Sequence, residues 1–377
     1  MSINLKELED RLDKALSNET PSSLKDWIFQ NREQILHNYV CVVPFTYLEI
    51  HKDEVYGCCP SWMKESYGST DNLKQIWNDE IATKTRESVL NGSYSYCDKN
   101  NCPHLSKLIY TEMPSEVFIE KKFFNTKKGP IRLNLCFDKS CILACPSCRK
   151  EILMSDDKEV EEINNIMKDV SEVFKESVTT IYLSGTSEPF ASKTYKNFLI
   201  NFNRDYFPKL DIIHLHSNGL LLDEEMWNKI QKSHEYIKTI EISIDAATKE
   251  TYKKVRGGNW DKLIENLRFI SSIKTIAEKR FSFVVQDTNY KEMEMFYNLI
   301  SNLPHNTRYN IYYGKILNWG TYSEEEYINK QIWNENHTQF NDFLTELSKI
   351  AGKPRIFTNL NDIIDKYKLM PKPNKFI

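Results

Sequence analysis

The chain has 377 residues, 40% apolar and 27% charged, with a formal net charge of −3 and nine cysteines. That is enough for one large domain with an appendage or for two ordinary domains, and the interspersed charges with no basic stripe exclude a nucleic-acid binder. No apolar run approaches the roughly 18 residues of a membrane span, and the charged, amphipathic start MSINLKELEDRLDKAL is no signal peptide. Cysteines in such a chain point to metal or redox chemistry in a reducing cytoplasm rather than to a disulfide framework.

In chain order, Leu5, Leu8, Leu12 and Leu16 recur at helical spacing, as do Leu24, Trp27, Ile28 and Ile35 after Pro21. They predict two short packing helices over 1–37. Residues 38–110 change texture, with five cysteines and turn signals at Gly57, Gly68 and Asn91-Gly92. Residues 46–50 and 54–58 read as a hairpin, and 72–90 as a helix with Leu73, Ile76, Trp77 and Ile81 inward. A polar link, KKFFNTKKGP, covers 121–130.

From 131 onward β-rich runs alternate with helical stretches. The runs are 131–137, 179–184, 211–216, 239–244, 281–285 and 309–313, and the clearest helix is 157–175. This alternation predicts a parallel sheet covered by helices, doubly wound or a barrel. Helices near 336–350 and 361–367 follow, and the tail ends in Met-Pro-Lys-Pro-Asn plus three residues.

The stretch CILACPSC places Cys141, Cys145 and Cys148 in the loop after the first of these strands. In a parallel barrel that edge carries the chemistry. Three soft thiolates suit an iron–sulfur cluster or zinc, and zinc would want a fourth ligand, for which Cys136 inside the strand is the nearest in sequence. The C-x3-C-x2-C pattern resembles the radical S-adenosylmethionine (radical SAM) enzymes. The resemblance implies a partial (β/α)6 TIM-type barrel, with a 4Fe–4S cluster on Cys141, Cys145 and Cys148 whose open iron is chelated by S-adenosylmethionine. Further segments match in order: SGTSEPF (184–190), HSNGLL (216–221), EISIDA (241–246), KKVRGG (253–258) and FVVQDTN (283–289). By that resemblance Gly185 lets the backbone approach the cofactor, and Glu188 accepts from its ammonium. Asn218 serves ribose or carboxylate, Ser243 offers its hydroxyl to the ribose, Arg256 pairs with the cofactor carboxylate, and the segment holding Gln286 flanks the adenine. Ser147 stands where many members carry an aromatic against the adenine.

The block CVVPFTYLEIHKDEVYGCC, with RESVLNGSYSYCDKNNC after a helix, resembles the SPASM or shorter twitch domains that hold auxiliary clusters. The matching ligands are Cys41, Cys58, Cys97 and Cys102, with Cys59 as an alternative to Cys58, for one auxiliary 4Fe–4S cluster. A four-cysteine zinc site is the competing reading. In the family this domain usually follows the barrel, whereas here it precedes it. The implied organisation is helices over 1–37, an α+β cluster domain over 38–110, a link over 111–127, the barrel over 128–320 and a helical extension over 321–377.

The family chemistry is reductive cleavage of S-adenosylmethionine to a 5′-deoxyadenosyl radical that abstracts a substrate hydrogen atom. It requires a flavodoxin- or ferredoxin-type electron donor. A peptide or protein substrate is expected, undergoing oxidation, cross-linking or epimerisation, with a sugar or other small molecule as the alternative. A non-catalytic, metal-stabilised scaffold binding a partner protein is the reading from another class. Epimerisation would need a hydrogen-atom donor, for which Cys136 is the candidate beside its plainer role as a core cysteine. Asn134, Tyr182, His214, His216, Tyr309 and Tyr312 are positions that may face a cavity or simply the core. WGTYSEEEY (319–327) and ENHTQF (335–340) are either a lid, a partner-binding helix or an exposed amphipathic surface.

Overall fold

The computed structural model describes residues 36–99, 101–111, 115–125, 129–183 and 185–369. The helices expected within 1–37 lie outside the described residues except for a helical turn at 36–38, as does the tail from 370. Two compact units divide at Leu133/Asn134.

The first unit contains β1 (Tyr39–Cys41), β2 (Tyr47–Ile50), β3 (Val55–Tyr56) and β4 (Phe118–Glu120). The expected hairpin is β2–β3, antiparallel with Glu49 opposite Tyr56. Leu48 and Ile50 alternate with half-buried neighbours and are fully buried, as one inward face requires. The stretch expected to be a link instead supplies β4, which pairs antiparallel with β1. Leu36, Val40, Phe45, Val89, Tyr94, Leu105 and Leu108 form the core beside it. The helix expected over 72–90 is two helices, Leu73–Ile76 and Glu80–Leu90. Asp79 separates them because its carboxylate caps the second helix, accepting from Ile81 N–H, and a capping aspartate is worth about 1 kcal/mol over continuing the first helix.

The second unit is built on β5 (Arg132–Leu135), which straddles the division, β6 (Thr180–Leu183), β7 (Ile212–Ser217), β8 (Ile237–Ser243), β9 (Glu278–Val285), β10 (Arg308–Lys315) and β11 (Ile356–Thr358). They lie in the spatial order β11-β10-β9-β8-β7-β6-β5, with β6 through β11 paired parallel. All six expected runs are strands. β11 adds a short seventh that its three-residue length concealed, and β5 stops at Leu135, so Cys136 lies just beyond the strand.

One face of this sheet is apolar: Ile181, Leu183, Ile213, Leu215, Ile240, Ile242, Phe281, Phe283 and Ile311 are all buried. Helices supply the covering stripes, such as Ile163, Met167, Val170 and Phe174 on the helix Asp157–Phe174. Each such side chain contributes about 1.5–3 kcal/mol on burial. The opposite face is polar, with Tyr182, His214 and Thr239 in one register row and His216, Glu241 and Arg280 in the next. Parallel strands, helices on the apolar side and a polar inner side make this an α/β fold of the partial TIM-barrel type. Tyr309 is not on the inner side with Tyr312. It shares the register row of Ile240 and Lys279 and stacks on His305 with ring centroids 3.7 Å apart.

Candidate functional site

The loop that leaves β5 is folded by a buried carboxylate. Asp138 accepts from Ser140 N–H at 2.8 Å, Ser155 Oγ at 3.0 Å and Ser192 Oγ at 2.5 Å. The Tyr195 hydroxyl accepts from the N–H groups of Phe137 and Asp138. Cys141 N–H donates to Leu153 O at 2.7 Å, closing the loop, and the N–H groups of Cys148 and Arg149 turn back on Cys145 O. Local bonding thus brings the three cysteines round at the C-terminal edge of the sheet.

Their sulfurs sit among polar partners. Cys145 Sγ lies 3.8 Å from Arg256 O, Cys141 Sγ 3.9 Å from Asn218 Nδ2 and Cys148 Sγ 3.7 Å from Arg149 Nη2. Burial pushes the Cys141 and Cys145 thiols above the ordinary cysteine range, and the Arg256 charge counteracts it at both. Arg149 also donates to Lys139 O and Thr186 O, so one guanidinium ties the cysteine loop to the segment after β6.

Glu188 is 2% exposed. Its carboxylate accepts from Ser217 Oγ at 2.8 Å, Asn218 N–H at 2.6 Å and Phe190 N–H at 3.4 Å. Burial pushes its pKa up to about 7, against those bonds and the Arg256 charge. Gly185 has φ +89°, and a Cβ there would meet Cys136 Sγ at 2.4 Å. That is a conformation and a contact only glycine tolerates. Arg256 Nη1 lies 3.0 Å from Asp245 Oδ2. Burial opposes the guanidinium charge, but Cys145, Asp245 and their neighbours outweigh it and hold Arg256 ionised.

The structure therefore brings Glu188, Asn218 and Arg256 together with the three cysteines. Ser243 and Gln286 stand at the ends of β8 and β9, where Ser243 Oγ meets His216 Nε2 at 2.7 Å and Gln286 N–H donates to Asn289. Sequence reasoning missed Asp138, Arg149 and Asp245. Asp245 was the most accessible of these: a lone acid ending the apolar run EISI, it sits at φ +62° and is buried.

The residues fit a polar guest. Ser187 Oγ, Tyr252 OH and Arg256 Nε are buried with no hydrogen-bond partner, and buried polar atoms without partners are rare unless something else satisfies them. Tyr252 feels the charges of Arg256, Cys145, Asp245 and Glu188, so two of the unsatisfied atoms, on Tyr252 and Arg256, belong to residues beside Cys145.

In the first unit, burial pushes Cys41 and Cys97 up to about 12 and raises Cys58 and Cys102. Cys58 feels the charges of Cys41, Cys102 and Cys97. Cys59 feels Glu49 and, of these cysteines, Cys102, and it opens the turn Pro60–Trp62. Of the two neighbours, Cys58 is coupled to three of these cysteines and Cys59 to one.

Residues 139–300 match the Radical SAM superfamily model. Over 132 residues the chain is 28% identical to the isethionate sulfite-lyase activating enzyme of Oleidesulfovibrio alaskensis, covering 35% of this chain and 40% of that protein. The chain thus spans well under half the length of that curated relative. Solved structures similar to it include Streptococcus suis SuiB bound to precursor peptide SuiA, at 14% identity and TM-score 0.42 over 79% of this chain and 67% of that one. Another is TYW1 with a lysine-pyruvate adduct bound, at 16% identity and TM-score 0.35 over 57% of this chain and 70% of that one. Residues 139–300 are a radical SAM domain, and members of that superfamily work with a 4Fe–4S cluster and S-adenosylmethionine.

Proposed function

We propose that this enzyme abstracts a hydrogen atom from a peptide or protein substrate, with an auxiliary 4Fe–4S cluster on Cys41, Cys58, Cys97 and Cys102 in a SPASM/twitch-like unit. The observation that carries the reading is the gathering of Cys141, Cys145 and Cys148 with Glu188, Asn218 and Arg256 around unsatisfied buried polar atoms. When bound, the cluster and S-adenosylmethionine supply the radical chemistry. The chain's residues hold and orient. Cys141, Cys145 and Cys148 are the cluster ligands, and Arg149 and Arg256 balance their charge. Glu188 is the carboxylate for the cofactor ammonium, and the unpartnered Nε of Arg256 is a donor for its carboxylate. Asn218, Ser243 and Gln286 line the rest of the edge. The peptide preference rests on the cysteine spacing of the first unit, which resembles domains serving such substrates. A flavodoxin- or ferredoxin-type protein is the electron donor in this reading.

The polar inner face favours a second reading, a sugar or other small polar molecule. Tyr182, His214, His216, Glu241 and Arg280 offer hydrogen bonds along two register rows, where a peptide's apolar side chain finds no match. Anaerobic incubation of reconstituted protein with S-adenosylmethionine and dithionite tests the core claim, with 5′-deoxyadenosine as the expected product. Its absence from fully iron-loaded protein would leave a metal-stabilised scaffold. A mass change in peptides encoded beside this gene, against none in sugars, separates the two substrate classes.

A further inference from the structure

Three polar atoms in the first unit are buried with no hydrogen-bond partner: Tyr67 OH, Thr85 Oγ1 and Arg86 Nη1. Thr85 and Arg86 flank Tyr67, and Tyr67 is the member of the group that faces Cys58 and Cys97. Tyr67 is 1% exposed, and its hydroxyl presses on the backbone of Gly57, where a Cβ would meet it at 1.9 Å. Gly57 immediately precedes Cys58. Burial raises the Tyr67 pKa and the charges of Cys58 and Cys97 raise it further, while Arg86 and the neighbouring Thr85 hydroxyl lower it. Arg86 is held in one pose: Nη2 donates to Trp77 O at 2.5 Å and the guanidinium lies 4.8 Å over the Trp77 ring. That pose leaves Nη1 aimed inward without an acceptor.

A buried donor left without an acceptor costs about 1–3 kcal/mol. One such atom is tolerable, but with Thr85 able to donate to the Tyr67 oxygen, the Tyr67 O–H and Arg86 Nη1 remain as two donors that call for an acceptor. Zinc would leave the four thiolate sulfurs as the acceptors, whereas an iron–sulfur cluster adds four inorganic sulfides that also accept hydrogen bonds. Hydrogen bonds to cluster sulfur are among the levers that set reduction potential.

We propose that Tyr67 and Arg86 donate hydrogen bonds to the sulfur of a 4Fe–4S cluster held by Cys41, Cys58, Cys97 and Cys102, and thereby raise its reduction potential. This rests on the auxiliary-cluster reading above. The donors stabilise the more negative, reduced cluster, so removing one lowers the potential.

The test uses the full chain with Cys141→Ala, Cys145→Ala and Cys148→Ala, anaerobically reconstituted so that only the first unit loads. About four irons with matching sulfide per chain are expected. Tyr67→Phe removes one hydroxyl at constant shape, and Arg86→Lys removes the fork while keeping the charge. In potentiometric titration followed by electron paramagnetic resonance, Tyr67→Phe should weaken the reduction equilibrium about tenfold, a fall of 59 mV for a one-electron couple. Arg86→Lys should shift it the same way by less. Full iron with both potentials unchanged overturns the donor assignment and leaves the auxiliary cluster standing. One zinc without sulfide overturns the donor assignment and the auxiliary cluster together, but not the radical SAM domain. Should Tyr67→Phe fail to load, the Arg86→Lys potential decides between the same outcomes.

Discussion

The two cysteine sites differ in what surrounds their sulfurs. In the second unit three cysteines stand beside Arg149, Arg256, Asp245 and Glu188, so charges of both signs converge on one edge. In the first unit three of the four cysteines, Cys41, Cys97 and Cys102, stand in apolar packing with Val40, Phe45 and Tyr94, and the unit's unsatisfied polar atoms include a phenol, a hydroxyl and one guanidinium nitrogen. Mixed charge suits a guest that is itself zwitterionic and must enter and leave. Apolar walls with a few donors suit a resident group whose ligand count is already complete.

The sharpest way to break this contrast is to remove one sulfur from each site. Cys145→Ala should abolish 5′-deoxyadenosine formation while the first unit keeps its metal. Cys97→Ala should leave S-adenosylmethionine cleavage intact and lose modified product. Iron analysis and chromatography of the nucleoside read both. Loss of cleavage in Cys97→Ala would mean the two sites are not separable in this way.

The buried pair Arg256–Asp245 comes next. Side-chain exposures of 12% and 3% leave little water to screen an abandoned charge. Asp245→Ala should cost about 3–5 kcal/mol, as removal of one member of a buried pair does, read by urea denaturation of the metal-free protein. Asp245→Asn should cost less, since asparagine tolerates the positive φ and Asp245 Oδ1 also accepts from Val284 N–H, a bond an amide oxygen can keep.

Two groups of the second unit titrate against each other. Glu188, ordinarily near 4.5, is pushed up to about 7 by burial. The folded state therefore binds the extra proton between those values, and stability falls as pH rises through that window. His214, ordinarily near 6.5, is pushed down to about 4 by burial and then by His216. There the unfolded state binds the extra proton, and stability rises with pH through the window. Each is worth about 3 kcal/mol at about 1.36 kcal/mol per pKa unit, so between pH 4.5 and 6.5 they nearly cancel. Glu188→Gln should unmask a rising stability profile and His214→Gln a falling one, in urea midpoints across that range. Parallel profiles in both variants would contradict the opposed titrations.

What the sequence made legible was local. The C-x3-C-x2-C spacing, the strand runs and the glycine turn at 185 are short-range patterns, and the structure keeps them in place. Tyr309 and Tyr312 were separable in principle, because positions three apart on a strand point to opposite faces. The Asp138 network was not legible, since Ser155 and Ser192 reach it from separate segments. Nor were Tyr67 and Arg86, whose significance lies in partners they lack, which only packing reveals. The break at Asp79 reflects a side chain competing with the helix backbone, a near balance that apolar periodicity does not register.

The smallest effect concerns Cys136 and Gly185. Cys136 is buried, its carbonyl accepting from Thr186 Oγ1 at 2.8 Å, and its sulfur rests where a Gly185 side chain would be. Gly185→Ala carries two penalties: a left-handed backbone, about 1–2 kcal/mol for an L-residue, and the clash with sulfur. Cys136→Ala removes the clash but not the backbone penalty. The double variant should therefore be more stable than the sum of the singles predicts, by about 0.5–3 kcal/mol, the usual range for residues in contact, with the backbone penalty remaining. Additivity would show that the sulfur is not the atom excluding a side chain at 185. The same Cys136→Ala protein tests the hydrogen-atom donor role: a sulfur that serves as packing leaves the reaction product unchanged, whereas a donor leaves it trapped at a different stage.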